Sequence, residues 1–282
     1  MLTYFDEKNG VIVYEYRLFA KGVKRKVIYQ FSDVHLTEYD ELSSKEEKEF
    51  AVYQSPRWEN MRRYYANAHK EPYDIYQQLP PLKHLENLIS ISNNGDAVIM
   101  AGDILDVVSG ANIRAFNNAV KNLKKPFVYV CGNHEPSAEV PSDFACKNDT
   151  QKIEFDDLII LAFNNEERVI TKKQINFLKE NLALKKKTII AMHVPILCDS
   201  NREKVESLGE YFRLNNDNST AETLEFIDII NKNKELIVMV GAGHLHFNYQ
   251  SNLDSGIPQI ISSQGITGSI NKYIIGEDDG EK

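Results

Sequence analysis

Between residues 11 and 19 apolar and polar side chains alternate, and a second run, 26–32, follows a turn containing lysine and glycine. A period of two places successive side chains on opposite faces of a strand. The two runs therefore predict an opening hairpin whose second strand ends at Asp33. Six later apolar runs (97–101, 127–131, 158–163, 188–192, 236–240 and 257–261) have the length of buried strands. Segments 112–124, 172–184 and 221–232 lie between several of them and are long enough for helices. This alternation predicts an α/β fold with room for more than one sheet. No repeat or linker interrupts it, so residues 1–282 read as one domain.

Residues 37–94 break the rhythm, being polar, charged and rich in aromatics. Ser55-Pro56 has the chemistry of a helix N-cap followed by a first helical position. From there Trp58, Met61 and Tyr65 share one face. Two readings follow for this helical insertion. It packs that stripe onto the body, or it closes over an active site as a cap and offers Arg62, Arg63, Tyr64 or Lys70 to substrate. His69 and His84, also in this stretch, read as surface residues.

Five motifs each begin where a predicted strand ends. Asp33-Val34-His35 follows 26–32, and Gly102-Asp103-Ile104-Leu105-Asp106 follows 97–101. Gly132-Asn133-His134-Glu135 follows 127–131, His193 follows 188–192, and Gly243-His244-Leu245-His246 follows 236–240. Loops at the carboxyl ends of strands gather on one edge of an α/β fold, where ligands bind. Each motif alone is ordinary turn chemistry, and a lone histidine is more often structural than a ligand. Yet five of the seven histidines fall in these loops, so the set predicts one convergent site. In the last motif, histidines at i and i+2 would point the same way on an extended backbone.

The ordered set DxH, GDxxD, GNHE, a single histidine and GHxH resembles the calcineurin-like metallophosphoesterase family, over Asp33 to His246. The resemblance implies two packed mixed β-sheets flanked by helices, a four-layer αββα fold. It implies one metal ion held by Asp33, His35, Asp103 and His246. A second would be held by Asp103, Asn133, His193 and His244, with Asp103 bridging. His134 is similar to the family's non-ligand histidine, which stabilises the transferring phosphoryl group and protonates the leaving oxygen. Asp106 and Glu135 would orient ligands from behind. The chain departs from the pattern in its long interval between His35 and Gly102. It also has Val107-Val108-Ser109 after Asp106 where the protein Ser/Thr phosphatase branch has Arg-Gly.

Phosphate esters resist hydroxide because like charges repel, and two divalent ions about 3.5–4 Å apart stabilise both the attacking and the departing oxygen. Imidazole with carboxylate suits Mn, Fe or Zn, and a donor set without thiolate is unlike a structural zinc site. The two ions, less two aspartates and a bridging hydroxide, leave a local charge of about +1 that draws in an anion. The expected activity is hydrolysis of phosphodiesters, then monoesters, by in-line attack of that hydroxide on a small phosphate ester. A nuclease is the alternative enzyme, supported by the clusters Lys21, Lys24, Arg25, Lys26 and Lys185, Lys186, Lys187; such runs are usually solvated faces. A metal-bound scaffold that grips a protein partner is the alternative outside catalysis.

Composition narrows the setting. With 42% apolar and 26% charged residues the chain can bury a substantial core, and its net charge of −8 disfavours broad adhesion to nucleic acid or anionic membrane. No apolar run approaches the roughly 20 residues of a membrane span, and residues 1–10 lack the apolar region of a secretory signal. Cys131, Cys146 and Cys198 are odd in number and without a CxxC pair. They read as reduced thiols, and the expected location is cytoplasmic.

Overall fold

The alternating run at the amino end does form a hairpin, but with a partner on its other side. In the computed structural model, which describes residues 1–68, 79–215 and 219–277, β1 (Leu2–Asp6) pairs antiparallel with β2 (Val11–Phe19). The next strand, β3 (Lys26–Phe31), does not touch β2. Between them lies the last strand of the chain, parallel to β2 through eight residue pairs and antiparallel to β3. The predicted hairpin of 11–19 with 26–32 is thus corrected. The intervening strand satisfies the facing backbone edges of both runs, and its sequence Ser-Ile-Asn-Lys-Tyr-Ile-Ile-Gly mixes polar with apolar residues.

In chain order β3 is followed by α1 (Lys45–Ala68), α2 (Pro81–Ser92), β4 (Ala97–Ala101), α3 (Gly110–Val120), β5 (Phe127–Val130), β6 (Thr150–Glu154) and β7 (Leu158–Phe163). Then come α4 (Lys172–Leu182), β8 (Lys187–Ala191), α5 (Arg202–Glu206), α6 (Ala221–Lys232), β9 (Ile237–Ala242), β10 (Tyr249–Asn252), β11 (Pro258–Ile261) and β12 (Ser269–Gly276). The strands form two mixed sheets of six, ordered β1-β2-β12-β3-β4-β5 and β10-β11-β9-β8-β7-β6. Ile28, Ile99, Val128, Ile160, Ile189 and Met239 pack between the sheets. Leu85, Leu88 and Phe116 bring α2 and α3 onto the outer face of the first sheet. Ile175, Leu178, Phe226 and Ile230 bring α4 and α6 onto the outer face of the second. These are the four layers helix, sheet, sheet, helix. Among the described residues no helix is long and apolar enough to cross a membrane.

Among its described residues the aromatic stretch 37–94 contains two helices of different kind. The first starts ten residues before the expected cap at Ser55. Ser44 Oγ accepts from Glu47 N at 3.1 Å and Glu47 Oε2 accepts from Ser44 N at 2.7 Å, a reciprocal cap that fixes the start. Pro56 therefore sits inside α1, not at its beginning. The second helix, α2, is the crossover between the parallel neighbours β3 and β4. His84 lies on its inward face, one helical turn before Leu88, and is fully buried. Its expected surface position is corrected: the helical spacing that buries Leu88 and Ile91 buries His84 too. Of the predicted stripe Trp58 is buried; the side chains of Met61 and Tyr65, and all of His69, lie outside the described residues.

A polar thread joins the sheets through the apolar layer. Gln30 Nε2 donates to Ala242 O at 2.8 Å, Tyr273 OH donates to Gln30 Oε1 at 3.2 Å, and Asn271 Nδ2 donates to Tyr273 OH at 3.0 Å. Asn248 Nδ2 donates to Asn271 Oδ1 at 2.8 Å. Ser32 and Ser262 bring their hydroxyls to 2.7 Å. Segment 262–269 is buried and braces the end of β3, where Gly265 N donates to Ser32 O and Ile266 N to Asp33 O. Tyr273→Phe should lower the free energy of unfolding by about 1–3 kcal/mol, because it strands the Gln30 and Asn271 groups away from water. Urea titration measures this, and a midpoint equal to that of the parent would show that the thread carries no stability.

Candidate metal centre

Strands β3, β4 and β5 run parallel in the first sheet, and β8 and β9 run parallel in the second. Each of these five ends in one of the motif loops. The loops are tied to one another by their own backbones. Asp33 N donates to Gly102 O at 2.9 Å, His35 N to Asp103 O at 3.0 Å, and Gly243 N to His193 O at 2.9 Å. Glu135, fully buried, accepts from Ile104 N, Leu105 N and Gly132 N and so fastens the β4 loop to the β5 loop.

The turns are tight enough to force unusual backbone. Among the described residues seven non-glycine residues have positive φ, and five of them are Asp33, His35, Asp103, His244 and His246. Each such residue costs on the order of 1–3 kcal/mol and persists only where its surroundings over-determine it. His244 and His246 are therefore not on extended backbone, the condition under which they would point the same way. Their left-handed turns send the two rings into different groups of donors.

Among the described residues three groups form: two share Asp103, and the third is His35 with Asp106 and His134. Asp33, His35, Asp103 and His246 bring one ligand-type atom each to within 4.8 Å of one another, and so do Asp103, His193 and His244. Asn133 Oδ1 joins the second group, 3.2 Å from His193 Nε2. The seven residues thus lie close together, four around Asp33 and, with Asp103 in common, four around His193.

Each carboxylate is oriented by a backbone amide from another loop. Asp103 Oδ1 accepts from His134 N at 2.9 Å and Asp33 Oδ2 accepts from His244 N at 3.1 Å. The opposite oxygens face imidazoles: Asp103 Oδ2 is 3.3 Å from His193 Nε2, and Asp33 Oδ1 is 3.2 Å from His246 Nε2. The histidines are oriented too. His193 Nδ1 donates to Ala101 O at 2.7 Å, leaving Nε2 with its lone pair toward the group. His244 Nε2 donates to Tyr211 O at 3.3 Å, leaving Nδ1. His35 Nε2 and His246 Nε2 face each other at 3.2 Å. Donors about 2.1 Å from a common ion stand about 3.0–3.4 Å apart, so these spacings suit a divalent ion in each of the two groups that share Asp103.

His134 and Asp106 sit beside the first group. His134 Nδ1 donates to Asp106 O at 2.9 Å, which leaves Nε2 unengaged by that bond. The Asp106 carboxylate lies between two rings, 3.5 Å from His35 Nδ1 and 3.3 Å from His134 Nδ1.

The electrostatics are those of a site built for positive charge. Burial pushes the Asp33 and Asp103 carboxyls up, yet their imidazole neighbours outweigh it and hold both below the usual range, Asp103 well below. Burial opposes charge on His193, but Asp103 prevails and raises it to about 9. In the same way Asp106 prevails over burial and raises His134 to about 10. Burial, then the charge of His193, pushes His244 down to about 3. Burial and the nearby Asp103 raise the Glu135 carboxyl to about 8.

A cavity of about 410 Å³ opens beside the donors. Trp58 of α1 stacks on His35 with ring centroids 4.0 Å apart and lines this cavity with Tyr64. Of the other expected substrate contacts, the side chains of Arg62 and Arg63, and all of Lys70, lie outside the described residues. Lys204, Tyr211, Phe212 and Phe247 also line it and went unnoticed in the sequence. Phe247 directly follows the last motif; Lys204 lies in the short α5, and Tyr211 and Phe212 in a single turn beyond it, segments too short to carry a periodic signal. A larger cavity, about 520 Å³, opens elsewhere among Phe19, Lys21, Lys187, Lys234 and Pro258 and holds none of the donors.

Two motif glycines are required by close approach. Gly102 has φ +89°, and a Cβ there would collide with the His193 ring; a Cβ on Gly132 would collide with the Asp103 carboxylate and backbone amide. Gly132→Ala must therefore displace the shared aspartate. Elemental analysis of metal-loaded protein is expected to show well under half the parent's content in a variant that still folds by circular dichroism. Parental stoichiometry would mean that the shared carboxylate is not fixed by this contact.

A model of the calcineurin-like phosphoesterase family matches residues 26–252. No curated protein is a significant match by sequence. Among solved structures, a dimetal phosphatase from Danio rerio is similar with a TM-score of 0.52 at 12% identity, over 86% of this chain and 88% of that one. A purple acid phosphatase from yellow lupin (Lupinus luteus) seeds gives a TM-score of 0.48 at 13% identity, over 84% of this chain and 44% of that one. At such identities structural likeness speaks for the fold alone. The family model, however, runs from the first residue of β3 to the last of β10 and takes in every donor loop, and this chain belongs to the calcineurin-like phosphoesterase family.

Proposed function

We propose that the chain is a dinuclear metal-dependent hydrolase of phosphate esters, acting on phosphodiesters ahead of monoesters by in-line displacement at phosphorus. The observation that carries this reading is the pair of donor groups that share Asp103. Asp33, His35, Asp103 and His246 would hold one ion; Asp103, Asn133, His193 and His244 would hold the other. The imidazole and carboxylate set favours Mn, Fe or Zn. When bound, the two ions supply a water acidified toward neutral pH and positive charge at the attacking and departing oxygens.

The remaining roles belong to the chain's own side chains. Asp103 fixes the spacing of the two groups. His134, held through Nδ1 by Asp106 O, turns Nε2 to the phosphoryl oxygens and passes a proton to the leaving oxygen. Asp106 is a positioning residue for His35 and His134, and Glu135 is one for the loops. Trp58 covers His35 and keeps water from that side, while α1 acts as a cap that brings Tyr64 to the cavity. A diester's single negative charge suits a cavity in which Lys204 is the one lysine or arginine among the described lining residues. The basic clusters give no support to nucleic acid as substrate. Lys26 leads into β3 and Lys187 into β8, at the strand ends away from the donors, and Lys26 and Lys186 are paired with Asp157 and Glu154.

Protein loaded with Mn, Fe or Zn should cleave bis(4-nitrophenyl) phosphate faster than 4-nitrophenyl phosphate, and chelation or Asp103→Asn should abolish both reactions. Undiminished turnover by metal-free Asp103→Asn protein would sink the mechanism. A blank result over a broad ester panel would favour the scaffold reading instead. His134→Ala should keep its metal content and lose about 10²–10⁴-fold in kcat. If kcat stays at the parental value, His134 has no part in the proton transfer.

A further inference from the structure

Building on the phosphoesterase reading, we infer that the cavity beside the donors is a subsite for a flat aromatic ring system carried on the ester, an aryl or nucleoside group in preference to a sugar or alkyl group. At about 410 Å³ the cavity is of a size that accepts small molecules, about 300–1,000 Å³. Asp103, Asn133, His134, His244 and His246 line the part where a phosphoryl group would sit. The remainder is dominated by rings. Trp58, Tyr64, Tyr211, Phe212 and Phe247 make up five of the thirteen lining residues, in a chain that is 10% aromatic.

Several of these rings are held in place before any ligand arrives. Trp58 is only 6% exposed and is stacked on His35. The Arg168 guanidinium lies over the Tyr211 ring, 4.5 Å from its centroid. Phe212 meets Tyr211 edge-on at 5.4 Å and lies 5.1 Å from the His244 ring. Rings fixed in advance lose little freedom on binding, which is where stacking subsites gain affinity.

The other occupants fit less well. A sugar needs acceptors for its hydroxyls, and the carboxylate and amide side chains among the described lining residues are those of Asp103 and Asn133, both engaged with the metal donors. An alkyl group would leave the ring faces without a stacking partner. The Lys204 ammonium, which stands 4.8 Å over the Phe247 ring, matches a ring that carries polar atoms at its edge.

Calorimetric binding of two phosphonates, which cannot be hydrolysed, to metal-loaded protein tests the subsite. Phenylphosphonate should bind about tenfold more tightly than methylphosphonate. Tyr64→Ala should remove most of that advantage without changing metal content; Tyr211→Ala should remove it too, with metal content measured alongside because that ring lies against His244. Tyr64 is 68% exposed, so its replacement keeps the test sound if Tyr211→Ala fails to fold. Inhibition of bis(4-nitrophenyl) phosphate turnover by adenosine 5′-phosphate, set against ribose 5-phosphate, then separates a nucleoside preference from an aryl one. Equal affinity for the two phosphonates, or an advantage that survives both substitutions, would overturn the subsite while ester turnover leaves the phosphoesterase reading intact. Failure of every phosphonate to bind, with no ester cleaved, would take both readings down together.

Discussion

The carboxylates of Asp33 and Asp103 are essentially sealed from solvent, where an uncompensated negative charge costs several kcal/mol. Two such charges in contact with a common set of imidazoles are tolerable only if positive charge lies between them. The neighbouring imidazoles hold both carboxyls low against their burial, and Asp103 in turn raises His193. Divalent ions meet the same need more fully, each accepting lone pairs from several of these donors at once. The features around the pair follow from it. One oxygen of each carboxylate is anchored by a backbone amide of a different loop, the other is turned to histidine, and the histidines are fixed through their second nitrogen.

Holding five loops to that geometry requires two sheets, because the donors are drawn from both. Asp33, Asp103 and Asn133 hang from the first sheet, and His193, His244 and His246 from the second. A sheet-on-sheet contact made of apolar side chains alone is non-directional and would tolerate sliding. The hydrogen bonds of Gln30 to Ala242 O and of Tyr273 to Gln30 fix the contact a few residues from the donors. Left-handed turns at five donor residues store strain that this fixed frame resists. The same frame explains the glycines before Asp103 and Asn133, since neither position leaves room for a Cβ.

Much of this was legible because strand ends and metal chemistry coincide in the sequence. Each apolar run that stops at an Asp, Asn or His announces both a buried strand and a donor, and the two signals support each other. What stayed hidden depends on distant partners. Nothing near residues 11–32 says that β12 will come between the two runs, because its edge-satisfying role is set by residues some 250 positions away. The start of α1 was missed because a proline outweighed the subtler reciprocal cap of Ser44 and Glu47. His84 was misread because a polar residue on a buried helical face looks the same in sequence as one on a wet face. Tyr211 and Phe212 belong to a short turn whose position is set by tertiary contacts with His244 and Arg168, which no local pattern encodes.

The donors sit at strand ends, where any displacement is also a displacement of the core. The walls of the neighbouring cavity come from α1, from α5 and the turn after it, and from Leu245 and Phe247 of the last donor loop. Several of these walls reach the donors. Tyr211 orients His244 through its carbonyl, and its ring lines the cavity 5.4 Å from the His244 ring. Trp58 lines the cavity and stacks directly on His35. A change at either alters the wall and the support of a donor together, so the shape of the cavity is bound to the geometry of the donors.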